Sequence, residues 1–189
     1  MIGDGGELEK ALPWLSRSIE TLETAMRKDA RVAKVRETLC VASWTRAMTL
    51  AGLERYSQAL PDWDRAIEVD NGRYNRELRL RRASNLLQLR DVARATSEVA
   101  AIAESPAATA DDLYNAACLY SLAATLTPEE AACAEGQSGQ AVKLLRQALD
   151  RGFRDVEHMR SDPDLESLRS REDFQRLCRE LDAQPPRDP

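Results

Sequence analysis

A chain of 189 residues can form one domain or a short row of repeats, and 43% apolar, 31% charged and only 5% aromatic residues, rich in Ala, Leu, Arg and Glu, describe a helical protein. The net charge of −5 argues against a general nucleic-acid or anionic-membrane binder, because both need a basic surface. Four cysteines without a Cys-x-x-Cys pair, one histidine and no run of eighteen apolar residues leave no zinc motif and no membrane span, so reduced core thiols and a cytoplasmic location are expected.

The first predicted element is a helix over about 7–27. Its segment Glu9-Lys-Ala-Leu-Pro-Trp-Leu-Ser-Arg-Ser-Ile-Glu20 aligns with Ser57-Gln-Ala-Leu-Pro-Asp-Trp-Asp-Arg-Ala-Ile-Glu68. The shared Ala-Leu-Pro and Arg-x-Ile-Glu mark a repeated second helix. In the later copy Ala59, Trp63 and Ala66 fall at i, i+4 and i+7, so small, large and small residues share one face and admit a neighbouring helix.

The next unit covers about 30–70. Its first helix carries Ala47, Leu50 and Leu53 and closes at Tyr56 before Ala59. The same residue types return 36 positions further on, as Ala83, Leu86, Leu89, Val92 and Ala95, which defines a unit over about 74–105. A last unit over about 110–151 opens with Leu113-Tyr-Asn-Ala-Ala117-Cys-Leu-Tyr120 and resumes at Ala141, Leu145 and Ala148, with an insertion over 127–139.

Beyond it, Gly152 suits a left-handed helix end. Ser170 followed by Arg-Glu-Asp173 reads as a helix cap, and Phe174, Leu177, Cys178 and Leu181 form one apolar stripe, so 152–182 is a capping segment. The Pro-rich stretch 183–189 is expected to be a disordered tail.

These residue types and spacings resemble the tetratricopeptide repeat, a helix-turn-helix unit of about 34 residues. The resemblance covers roughly 7–151 and implies an all-α fold, a right-handed α-solenoid of hairpins closed by a C-terminal capping helix. Departures are Glu54 where a turn glycine is usual, Asn71 where a closing proline is usual, and a first unit that lacks its first helix, as in the far end of a longer array. An unrelated helical bundle is the alternative reading, but nothing in a bundle requires the small-large-small positions to return at a nearly constant shift.

The run Leu113-Tyr-Asn-Ala-Ala-Cys, then Gly152-Phe-Arg-Asp and Asp162-Pro-Asp-Leu-Glu-Ser-Leu-Arg-Ser-Arg-Glu-Asp-Phe174, also resembles repeat regions on the carboxyl side of some bacterial serine/threonine protein kinases. That resemblance implies an adaptor arm of a larger signalling protein. The kinase working parts are not in this sequence: it has no glycine-rich phosphate loop, His-Arg-Asp or Asp-Phe-Gly.

No catalytic role and no cofactor is expected. His158 lacks ligands at metal spacing, Ser161-Asp-Pro-Asp-Leu reads as turn chemistry, and Gly3 to Gly6 follows no strand that could aim it at a phosphate. The expected function is protein binding. In the resembled repeats the first helices line a groove, and register places Trp44, Thr45, Met48, Leu80, Arg81, Ser84, Tyr114, Asn115 and Cys118 there. The helix around Arg81 is locally basic, with Arg73, Arg76, Arg79, Arg81, Arg82 and Arg90 against Glu77 and Asp91, which suits an acidic peptide. The alternative is a homodimer formed through Leu8, Leu12 and Leu15 of the unpaired first helix.

Overall fold

A computed structural model describes residues 5–29, 32–127 and 131–182. The expected tail over 183–189 lies outside them. The described residues are all-α, without strands, and helices adjacent in the chain pack on one another in order. The chain separates at Leu89 into two compact units, each with its own core.

The first unit contains α1 (Gly5–Lys28), α2 (Ala33–Gly52), α3 (Tyr56–Val69) and α4 (Asn75–Gln88). Its core gathers Ile19 from α1, Leu39, Cys40, Ala47 and Leu50 from α2, Ala59, Trp63, Ala66 and Val69 from α3, and Leu78 from α4. Trp63 is almost wholly buried between Ala59 and Ala66, both fully buried, so the small-large-small face performs the close packing expected of it. Pro13 and Pro61 both lie inside helices. Each removes one backbone donor, and the residues four before, Glu9 and Ser57, are exposed, where water can reach their freed carbonyls.

Arginine forks tie these helices together. Arg46 on α2 donates to both oxygens of the buried Asp62 on α3, at 2.7 and 2.5 Å, and its third nitrogen donates to Ser16 of α1 at 3.1 Å. Arg65 on α3 clasps Glu23 of α1 at 2.6 and 2.9 Å, and Arg55 donates to Glu9. Bidentate guanidinium–carboxylate geometry fixes register as well as distance. Gly52 allows α1 its closest approach: a Cβ there would stand 3.2 Å from the Leu8 side chain.

Two left-handed residues end helices 36 positions apart. Glu54 has φ of 59°, and Arg90, 36 positions later, has φ of 58°. At the first of these the Arg55 N–H donates to the Leu50 carbonyl at 2.8 Å and the Glu54 N–H to the Ala51 carbonyl at 2.9 Å, the crossed pair that ends a helix on a left-handed residue. Glutamate thus takes a conformation that a glycine would take without steric cost.

The second unit contains α5 (Val92–Ala103), α6 (Ala110–Leu126), α7 (Ala131–Asp150), α8 (Val156–Ser161), a 3-10 turn (Pro163–Leu168) and α9 (Glu172–Asp182). Residues 131–139, expected as an insertion, are the first half of α7. α6 starts under a capping box in which Thr109 and Asp112 exchange side-chain and backbone hydrogen bonds. It then packs against α5, α7 and the 3-10 turn. Ala141, Leu145 and Ala148 of α7 are fully buried, reproducing the Ala59, Trp63, Ala66 arrangement.

Gly152, at φ of 106°, ends α7 with the same crossed hydrogen bonds. α9 opens at Glu172, so Ser170 stands one residue before the capping position. Its apolar stripe is laid down by Phe174 and Leu177, both buried. Arg171 anchors the start of α9 to Glu135 of α7 at 2.6 and 2.8 Å, and Arg146 of α7 reaches Glu180 at 2.8 Å.

Candidate functional site

Of the nine expected groove residues, four are open, two are intermediate and three are buried. On α2 of the first unit, Val41, Trp44, Thr45 and Met48 recur at i, i+3, i+4 and i+7 and therefore share one face. Val41 is 44% and Met48 43% exposed, Thr45 is exposed, and Trp44 is half-buried with its ring 5.6 Å from that of Tyr74. The sequence reading missed Val41, which its position one turn before Thr45 could have supplied.

On α4, Arg81 is exposed and its nearest acid is Glu77 at 3.6 Å. Ser84 is half-buried, and Leu80 is buried in the packing of the unit. The basic character of α4 is mostly consumed locally. Arg82 pairs with Asp64 of α3, Arg79 donates to Asn75 at 2.9 Å, and Arg73 lies over the Tyr74 ring at 5.1 Å.

In the second unit the face of α6 expected to be open is covered by the chain itself. Tyr114 is 5% exposed, stacked on Phe153 with ring centroids 4.3 Å apart and 7° between the planes. Its hydroxyl donates to Asp162 Oδ2 at 2.5 Å, and Cys118 Sγ lies 3.7 Å from the same oxygen. One turn further along, Ser121 and Ser167 share a 2.8 Å hydroxyl contact. Tyr114, Cys118 and Ser121 therefore form a docking stripe for residues 153–168, and only Asn115 of the expected set on α6 remains exposed.

The Asp162 cluster explains its own electrostatics. Asp162 Oδ1 accepts the Asp164 N–H at 2.9 Å and caps the 3-10 turn, and His158 Nε2 stands 3.5 Å from Oδ2. Burial, then the hydrogen bond to Asp162, raises the Tyr114 hydroxyl above the usual phenol range, which keeps it a donor. Burial and the charges of Asp162 and Asp164 hold the Cys118 thiol protonated, and burial followed by the Asp162 charge also raises the Asp164 carboxyl. Cys118, Asp162 and Asp164 present ligand atoms within 4.8 Å of one another. Cys118 and Asp162 are engaged where the 3-10 turn meets α6, and Asp164 is exposed.

No family model matches the chain, and no curated protein matches it.

α1 presents a different surface. Leu8, Leu12 and Leu15 are half-buried rather than free: Leu12 packs on the first-unit core and Leu8 abuts Gly52. The large exposed apolar side chain of α1 is Trp14, at 72%. Among the described residues no helix is long and apolar enough to cross a membrane.

Proposed function

We propose that this chain is a protein-interaction scaffold of tetratricopeptide type, a right-handed solenoid of hairpins that binds a partner peptide or protein through the α2 face of its first unit. The observation that carries this reading is the stripe of Val41, Trp44 and Met48. Two of its three apolar members stand more than two-fifths exposed on a helix whose other faces are packed. Clustered exposure of that kind is a signature of association. Arg81, exposed on the same unit, adds a planar donor fork suited to an acidic residue of the partner.

Support for the repeat type lies in the left-handed turns 36 positions apart and the buried small-large-small triads of α3 and α7. The further step, to an adaptor arm of a larger signalling protein, rests on the likeness to kinase-attached repeat regions. The test is a selection of displayed peptides on the wild-type chain, followed by titration of the winners into Met48→Glu and Arg81→Glu. Affinity should fall at least tenfold in Met48→Glu, and acidic winners should also lose affinity in Arg81→Glu. Unchanged affinity in both variants sinks the assignment.

A second reading, self-association through α1, is favoured by Trp14. It replaces a contact through Leu8, Leu12 and Leu15, since Leu8 and Leu12 serve α1's own packing. Light scattering of wild type and Trp14→Glu decides it: a dimer that the variant dissolves supports this reading, and a monomeric wild type removes it.

A further inference from the structure

A cleft of about 410 Å³ opens in the first unit between the start of α2 and the turn joining α3 to α4, lined by Ala33, Arg36, Glu37, Cys40, Val69, Asp70, Asn71, Arg73 and Tyr74. Its size falls within the range of small-ligand sites. The apolar lining is Val69 and Cys40, each 2% exposed, with Tyr74 alongside.

The two arginines and two carboxylates of the lining balance in formal charge but do not all pair with one another. Glu37 is held by Lys34 at 3.0 Å and Arg73 at 3.6 Å, and the hydrogen bond from Lys34 draws its carboxyl below the usual range. Asp70 accepts the N–H groups of Gly72 at 2.8 Å and Tyr74 at 3.2 Å. Arg73 has Glu37 and the Tyr74 ring. Arg36 is half-buried and has no side-chain partner among the described residues. A guanidinium fork without a carboxylate is matched by a carboxylate brought by a ligand.

We propose that this cleft binds a singly charged carboxylate carried on a short apolar body, with Arg36 as the anchor and Val69, Cys40 and Tyr74 receiving the apolar part. A single negative charge matches the single arginine without a side-chain partner. A phosphate dianion would instead meet the carboxylates of Glu37 and Asp70 in the same space. The ligand is either a free small acid or the carboxyl end of a peptide. The inference is independent of the proposed α2 interaction surface, because it is read on the cleft alone.

The experiment is an NMR titration of the isotope-labelled full chain with hexanoate, hexanamide, inorganic phosphate, and an acetylated pentapeptide ending in leucine as acid or amide. Hexanoate should shift the amides of Ala33, Cys40 and Tyr74 with Kd on the order of millimolar, as suits a single anchored charge. Hexanamide and phosphate should leave those amides unmoved, and Arg36→Gln should weaken hexanoate at least tenfold. Ala33→Trp, which fills the mouth and keeps Arg36, should lose binding as well. A peptide acid tighter than hexanoate identifies a chain end as the source, and equal affinity identifies the free acid. Absence of hexanoate shifts, equal shifts by hexanamide, phosphate binding as tight, or full hexanoate affinity in either folded variant overturns the proposal.

Discussion

Replacing Tyr114 by Phe removes one oxygen and tests whether the C-terminal segment is held on α6 as described. The ring stacking on Phe153 survives the change, so packing loss is small, and the cost lies in Asp162. That carboxylate is 8% exposed and loses a 2.5 Å donor, keeping at Oδ2 only the longer contacts with Cys118 and His158. A hydrogen bond to a buried charged group contributes about 1.5–3 kcal/mol, and an unsatisfied partner keeps the loss near the middle of that range. At about 2 kcal/mol the population of the undocked segment rises roughly thirtyfold. Native-state hydrogen exchange should therefore accelerate by that factor at amides of α8 and the 3-10 turn, while α1 to α4 keep their protection. Asn115→Ala, on the exposed side of the same helix, should change stability by less than about 0.5 kcal/mol. A Tyr114→Phe protein whose segment exchanges within twofold of wild type would refute the docking argument.

Burial, with the Asp70 charge second, pushes the Cys40 thiol up to about 11, and Cys118 is raised as well, whereas Cys133 and Cys178 are half-buried. At pH 8 about one Cys40 in a thousand is thiolate; a thiol reagent should titrate two cysteines quickly and the other two only on unfolding, as counted by mass spectrometry. Glu54→Gly and Arg90→Gly relieve a left-handed conformation costing about 1–2 kcal/mol and return about 0.4–1 kcal/mol through the looser unfolded chain. Each should raise stability by roughly 0.5 kcal/mol in urea unfolding. Asp173 and Glu135 are lowered by their hydrogen bonds to Arg171, and Glu180 by its bond to Arg146. Groups with depressed folded values contribute stability above their unfolded values, and the contribution is lost as pH falls through the folded ones. The docking of α9 should hold at pH 6 and weaken as pH falls below about 4, read as accelerated exchange in α9 at pH 3 once the intrinsic pH dependence of exchange is removed.

The helices and their pairing were legible because they depend on periodicity and on residue size. Ala59, Trp63 and Ala66 announce a close helix contact by spacing alone, and Gly152 announces a helix end by its conformational freedom. The Arg46–Asp62 and Arg65–Glu23 forks were not legible: charged residues look alike whether they face solvent or a partner forty positions away. Cys40 shows the same limit. Its burial could be expected, but its place in a cleft beside an unpaired arginine depends on how the α3–α4 turn returns to the start of α2.

The candidate surface divides on the same physical ground. Register pointed to residues expected to be left over by hairpin packing, which fails for the buried Leu80, and α2 and α6 contribute equivalent sets, Trp44 with Met48 and Tyr114 with Cys118. What covers those faces is decided by chain that register does not describe. On α6 the residues after Gly152 return and satisfy the hydroxyl of Tyr114 with a carboxylate from their own turn, so its aromatic and its thiol become core. On α2, Val41 and Met48 stay exposed. The two helices thus begin with similar residue types on that face, and the proposed interaction surface lies on the one whose face the chain leaves open.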